Sequence, residues 1–91
     1  MKSIKFNEEK SKLLKIKRKV SFSEIAELMD TKQIVKVIKN PNKAKFPNQK
    51  IMLVNINKYI YCVPYLETES EIFLKTIYPS RKYTKKYLKK L

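Results

Sequence analysis

Thirteen residues near the C-terminus, Lys75-Thr76-Ile77-Tyr78-Pro79-Ser80-Arg81-Lys82-Tyr83-Thr84-Lys85-Lys86-Tyr87, concentrate cations, phenols and hydroxyls. They hold Arg81, one of only two arginines among 22 cations. A chain that uses lysine wherever a bare positive charge suffices, yet keeps arginine here, points to a planar, bidentate contact that an ammonium cannot make. Phosphate fits that contact. The chain has no histidine and one cysteine, Cys62, so the usual zinc sites, an internal disulfide and triad hydrolysis with an imidazole base fall away. Any catalysis would run on lysine, arginine, tyrosine or carboxylate.

A second set of candidates lies between Asn40 and Lys50, an irregular stretch punctuated by Pro41 and Pro47. Lys43, Lys45 and Lys50 flank Phe46, the composition of a surface on which nucleic-acid bases stack between cations. A solvated loop anchored by one buried Phe46 is the competing reading. Lys10 is the third candidate. On a helical wheel it projects between Leu13 and Leu14, where its stem either snorkels past the core edge or carries the amine to the rim of a site. Glu67, Glu69 and Glu71 alternate in an acidic turn and point to solvent; the rest of a magnesium shell is missing, and no metal is expected.

The elements that position these residues follow from capping and periodicity. Lys2–Phe6 suits an initial extended stretch. Asn7 is an N-cap, Glu8 and Glu9 complement the helix dipole, and the helix runs to about Lys17 with Leu13, Leu14 and Ile16 as its apolar arc. Ser21 and Glu24 form a capping box, with Val20 stapled to Ile25; Phe22, Ile25, Ala26, Leu28 and Met29 make the buried arc of the second helix. From Ile34 to Ile38 the chain is β-branched and reads as a strand. Ile51–Ile56 and Tyr59–Tyr65 form a hairpin around Asn57-Lys58, with Tyr59, Tyr61, Val63 and Tyr65 on one face. Pro64 marks a strand end, an edge or a bulge. Ile72–Tyr78 is the last strand, and Ser80 caps a helix that places Arg81, Lys82, Lys85, Lys86, Lys89 and Lys90 opposite Tyr83, Thr84, Tyr87, Leu88 and Leu91.

Ninety-one residues suffice for one domain, residues 1–91, of the α+β class. The net charge is +14, from 22 basic and 8 acidic residues. Residues 1–19 and the final helix each contribute +6, leaving +2 for residues 20–79. Such a surplus attracts polyanions, with RNA first among them, and the two basic ends would form one surface if they lie together. No segment approaches the roughly 20 apolar residues of a membrane span, and no signal-peptide core follows Met1, so the expected address is the cytoplasm. There is no glycine, which excludes a glycine-rich phosphate loop and leaves Asn40, Asn42, Asn48 and Asn57 to make the turns.

The order helix, helix, strands, Ser-Arg-Lys-x-Thr helix resembles the BrnT toxins of bacterial type II toxin-antitoxin systems over nearly the whole chain. The matching pieces are Phe6-Asn7-Glu8-Glu9-Lys10, Val20-Ser21-Phe22 with Ala26, and Arg81-Lys82-x-Thr84-Lys85. Three positions depart from the pattern: Arg18-Lys19 stands for His-Gly, Phe6 for tryptophan and Tyr83 for alanine. The resemblance implies a RelE-like fold, with two N-terminal helices on a roughly four-stranded antiparallel sheet and a basic C-terminal helix. It also implies ribonuclease activity blocked by a cognate antitoxin, usually a ribbon-helix-helix protein, with DNA contacted only through the antitoxin complex.

On that reading an RNA 2′-hydroxyl attacks the adjacent phosphate without a metal or cofactor. Arg81 clamps the phosphate, Lys82 stabilises charge on its oxygens, and Lys10 or a tyrosine, Tyr83 in the motif itself, moves protons. Lys45, Phe46, Lys50, Lys75, Lys85 and Lys86 would bind the RNA. Lysine and tyrosine titrate ordinarily near pH ~10, so the chemistry would be slow. A module that binds RNA or DNA without cutting it uses the same residues, and so does a subunit whose basic face neutralises an acidic partner segment.

Overall fold

The computed structural model describes residues 2–88; Met1 and the Lys89, Lys90 and Leu91 expected in the final helix lie outside the described residues. Strand β1 (Ser3–Lys5) leads into helix α1 (Glu8–Arg18), whose first turn is closed by the Asn7 side chain accepting the Lys10 N–H at 2.9 Å. The helix ends at Lys19 in the left-handed conformation, φ 66°, where its N–H still reaches the Lys15 carbonyl. Glycine usually takes this place, and a lysine here costs about 1 kcal/mol in backbone strain.

The buried stripe of α1 is Ser11 and Leu14, not the expected Leu13–Leu14–Ile16 arc: Leu13 is 54% and Ile16 70% exposed. The reason is a close approach between helices. Ser11 Oγ accepts the Phe22 N–H at 2.9 Å, so a small residue holds α1 against the first turn of α2 (Phe22–Leu28), and the helix is rotated to suit. The α2 capping box forms in full: Ser21 Oγ accepts the Glu24 N–H and the Glu24 carboxylate accepts the Ser21 N–H. Phe22 and Ile25 are fully buried.

The remaining strands are β2 (Ile34–Lys39), β3 (Lys50–Ile56), β4 (Tyr59–Glu67), β5 (Glu71–Leu74) and β6 (Tyr78–Pro79), followed by α3 (Arg81–Tyr87). Their order is β1-β5-β4-β3-β2, with β6 also paired to β4. The α+β class is as expected, but the sheet has six strands and is mixed, because β1 lies parallel to β5. The strand expected over Ile72–Tyr78 breaks in two at Lys75–Ile77, where the side chain of Ile77 turns into the core and is completely buried.

Both faces of the sheet are covered, which is why Ile51–Val54 reads as an unbroken apolar run. Met52, Val54, Val63, Tyr65, Leu74 and Ile77 pack with Leu14, Val20, Phe22 and Ile25 of the α1–α2 layer. Ile51, Leu53, Ile60 and Cys62 lie on the other face beneath Tyr83, Tyr87 and Leu88. Helices α1 and α3 therefore stand on opposite faces, and the two basic ends of the chain do not share one.

The β3–β4 hairpin turns through Asn57 and Lys58, both at positive φ (53° and 66°), as a two-residue hairpin turn requires. The tyrosine alternation in β4 holds, but Tyr65 is buried and Tyr59 and Tyr61 are half-buried, so the row is packing, not a displayed phenol face. Pro64 sits inside β4, buried between neighbours on both sides. Its carbonyl accepts the Lys75 N–H at 2.8 Å, so its nitrogen faces the seam where β5 gives way to β6 and no ladder bond is forfeited.

Candidate nucleic-acid interface

The loop from Asn40 to Gln49 is folded by asparagine side chains in place of glycine. Asn40 Oδ1 accepts the Asn42 N–H at 2.9 Å, and Asn42 Oδ1 accepts the Lys45 N–H at 3.2 Å. The Asn42 carbonyl accepts the Phe46 N–H at 2.9 Å, which closes a single turn and sets the Phe46 ring. The base of the loop is tied twice: the Asn40 N–H donates to the Gln49 carbonyl, and Asn40 Nδ2 donates to Gln49 Oε1, each at 2.9 Å. Gln49 is one of two buried polar side chains among the described residues.

This construction surrounds Gln49 with three adjoining cavities. The first, about 550 Å³, is lined by Lys39, Lys43, Lys50 and Glu67. The second, about 320 Å³, lies between Lys45, Phe46, Leu66 and Lys75. The third, about 260 Å³, is bounded by Lys10, Asn40, Phe46, Pro64, Lys75, Thr76 and Tyr78. Phe46 is half-buried, belongs to neither core cluster and lines two cavities, with Lys45 Nζ 5.5 Å from its ring centroid. Lys75 Nζ stands 4.9 Å over the Phe73 ring. Lys10, exposed on α1, reaches the third cavity beside the break between β5 and β6.

The groove is electropositive. Its one acid, Glu67, is gripped by Lys2 Nζ at 2.6 Å and Lys50 Nζ at 3.4 Å. Those contacts, Lys2 first, hold its carboxyl below the usual range, so it stays ionised and largely offset. Burial, with the neighbouring Cys62 thiol, pushes the Tyr78 phenol upward and keeps it a proton donor at neutral pH. Burial likewise raises the Cys62 thiol, which is therefore no nucleophile. No group of three or more metal-binding side chains occurs among the described residues, and no helix there is long and apolar enough to cross a membrane.

The candidates from the sequence thus fall into two places. Lys10, Lys45, Phe46, Lys50 and Lys75 meet around Gln49. Arg81, Lys82, Lys85 and Lys86 lie exposed along α3. Tyr83 is half-buried against the sheet, stacked on Tyr87 with centroids 6.2 Å apart and covered by Lys82 Nζ at 5.3 Å. The hydroxyls of the Ser80-Arg81-Lys82-x-Thr84 segment anchor the helix. Ser80 Oγ accepts the Tyr83 N–H at 3.1 Å, and Thr84 Oγ1 donates to the Ser80 carbonyl while accepting the Ile60 N–H at 2.8 Å.

Lys39, Lys43, Gln49, Thr76 and Tyr78 join the groove without having been singled out as site residues. Lys43 stood in the flagged loop and Thr76 and Tyr78 in the flagged C-terminal stretch, whereas no local signal marks Gln49, whose place depends on Asn40 nine positions away. Comparison with known proteins finds no matching family model, no similar curated protein and no similar solved structure.

Proposed function

We propose that this protein binds single-stranded RNA in the lysine-lined groove around Phe46 and Gln49. The observation that carries the reading is the convergence of Lys10, Lys39, Lys43, Lys45, Lys50 and Lys75 on three adjoining cavities that all meet at Gln49, two of which also share the half-buried ring of Phe46. Lysines that follow a phosphate chain and a ring on which an unpaired base stacks are what single strands require, and a duplex keeps its bases out of such cavities. The resemblance to BrnT toxins favours RNA over DNA.

Binding of a labelled single-stranded RNA should weaken steeply with salt, and Phe46→Ala should lower affinity by roughly 5-fold to 100-fold, the usual worth of a base–aromatic stack. Equal affinity for wild type and Phe46→Ala, in a folded variant, overturns the groove as the binding site.

A second reading adds cleavage: the toxin of a type II pair, RelE-like in arrangement, restrained by a ribbon-helix-helix antitoxin. It is favoured by the cavity that Lys10 and the protonated Tyr78 both line, with Tyr78 three residues before Arg81. There the RNA 2′-hydroxyl would give its proton to water as its oxygen attacks phosphorus, the bond from phosphorus to the 5′ oxygen would break as that oxygen takes a proton from Lys10 or Tyr78, and a 2′,3′-cyclic phosphate and a 5′-hydroxyl would remain. RNA cut in the presence of a chelator, with loss of cutting in Arg81→Ala, supports this reading; RNA bound but intact leaves the protein a binder.

A further inference from the structure

The hydrogen bonds at the base of the loop dictate which side-chain atoms are left free beside the cavity that Lys10, Phe46 and Tyr78 bound. The Asn42 N–H can only donate, so the Asn40 side-chain atom that meets it must be the oxygen. The Asn40 amide nitrogen is thereby turned toward Gln49, and the Gln49 atom that receives it must in turn be the oxygen. Gln49 Nε2 is left over. It makes no hydrogen bond among the described residues, and Gln49 lines this cavity with only 9% of its surface exposed. A backbone N–H two residues beyond Asn40 thus sets the polarity of a buried amide nine residues away.

The polar side chains around this cavity are donors by compulsion or by choice. Lys10 and Lys75 carry ammonium groups, and Gln49 offers its N–H₂. The Asn40 oxygen is already engaged by Asn42. Thr76 and Tyr78 hydroxyls can turn either way. The cavity, about 260 Å³, falls below the roughly 300–1,000 Å³ of sites for drug-sized ligands and suits a single ring laid on Phe46.

Resting on the RNA-binding reading above, we propose that this cavity takes one nucleobase and selects uracil over cytosine, with Gln49 Nε2 donating to the uracil carbonyl at ring position 4. The two pyrimidines have nearly the same shape and stack alike. They differ at position 4, where uracil carries an oxygen acceptor and cytosine an amino donor. Against Gln49 Nε2 the oxygen completes a hydrogen bond, whereas the amino group sets donor against donor and leaves both unpaired.

The experiment compares affinities of the full chain for oligouridine and oligocytidine of equal length at one salt concentration. Wild type should favour oligouridine by roughly threefold to tenfold, the worth of one hydrogen bond against an unpaired donor. Asn40→Asp is close to isosteric: its second oxygen accepts from Gln49 Nε2, turns the amide over and presents Gln49 Oε1 to the cavity. Its ratio should pass through one and favour oligocytidine, whatever its added charge does to both affinities together. Gln49→Leu should bring the ratio to about one. Equal wild-type affinities, or a ratio unchanged in Asn40→Asp, overturn the proposal while leaving RNA binding intact. Failure of both oligomers to bind overturns the binding reading itself.

Discussion

The Asn40–Gln49 loop and the Ser80–Lys86 junction look alike as sequence, since each sets lysines beside an aromatic ring, and the fold uses them in opposite ways. In α3 the rings of Tyr83 and Tyr87 turn toward Ile51, Leu53, Ile60 and Cys62, and Lys82 and Lys86 lie across their outer sides. The cation–ring contacts there follow from a helix packing its apolar face. In the loop, Phe46 joins neither core cluster, and the lysines around it come from three separate places in the chain: α1, the loop itself and the segment after β5. Proximity of cation and ring is thus a by-product of burial in one region and a convergence in the other. Only convergence from distant segments sets ring and cations around a concave space that a ligand can enter.

The comparison is tested most strongly by removing charge from each region in turn. Lys45→Ala, Lys50→Ala and Lys75→Ala together should lower RNA affinity about a hundredfold at low salt and reduce the logarithmic salt slope by roughly 2, whereas Arg81→Ala with Lys82→Ala should cost less on both measures. Titrations across a salt series decide it, and a larger loss at the junction would reverse the assignment of the two regions.

Thr84→Val probes the junction as a structural device. It strands the Ile60 N–H and should cost about 1–3 kcal/mol of stability, read as a fall in Tm of roughly 4–8 °C per kcal/mol, with RNA affinity of the folded protein nearly unchanged. An affinity loss without a stability loss would move Thr84 from anchor to binding surface.

The smallest effect concerns the acid that the groove has and the junction lacks. The folded Glu67 carboxyl is held below its ordinary value, so its stabilisation is fully present above the unfolded carboxylate range near ~4.3 and is lost as the pH falls through the depressed value. Glu67→Gln should therefore melt slightly below wild type at neutral pH and together with it in strong acid. At neutral pH the same variant should bind RNA about twofold more tightly, because a negative charge leaves the groove and Lys50 is released.

Much of the local architecture could be read from residue types. The Asn7 cap, the Ser21–Glu24 box, the Ser80 cap and the turn at Asn57-Lys58 depend on side chains reaching their own neighbours, so spacing suffices to find them. The division of α3 into lysine and tyrosine faces held for the same reason. What failed was anything requiring a partner far along the chain. Ile72–Tyr78 reads as one strand because it is apolar and β-branched; the break within it is made by Ile77 filling the core beneath α1 and α2. Leu13 and Ile16 read as buried because they are apolar; Ser11 displaced them by accepting an N–H from α2.

The charge balance separates the two kinds of knowledge. Composition alone established a strongly cationic chain without imidazole or glycine, since charge, titration and backbone freedom belong to residues one at a time. It also assigned the middle of the chain only +2, making the basic ends look like the binding surface. Folding reversed that emphasis. It put α1 and α3 on opposite faces and gathered Lys39, Lys43, Lys45, Lys50 and Lys75 with Lys10 around Gln49. Electrostatic fields and cavities are set by distances in space, and a sum along the chain contains none of them.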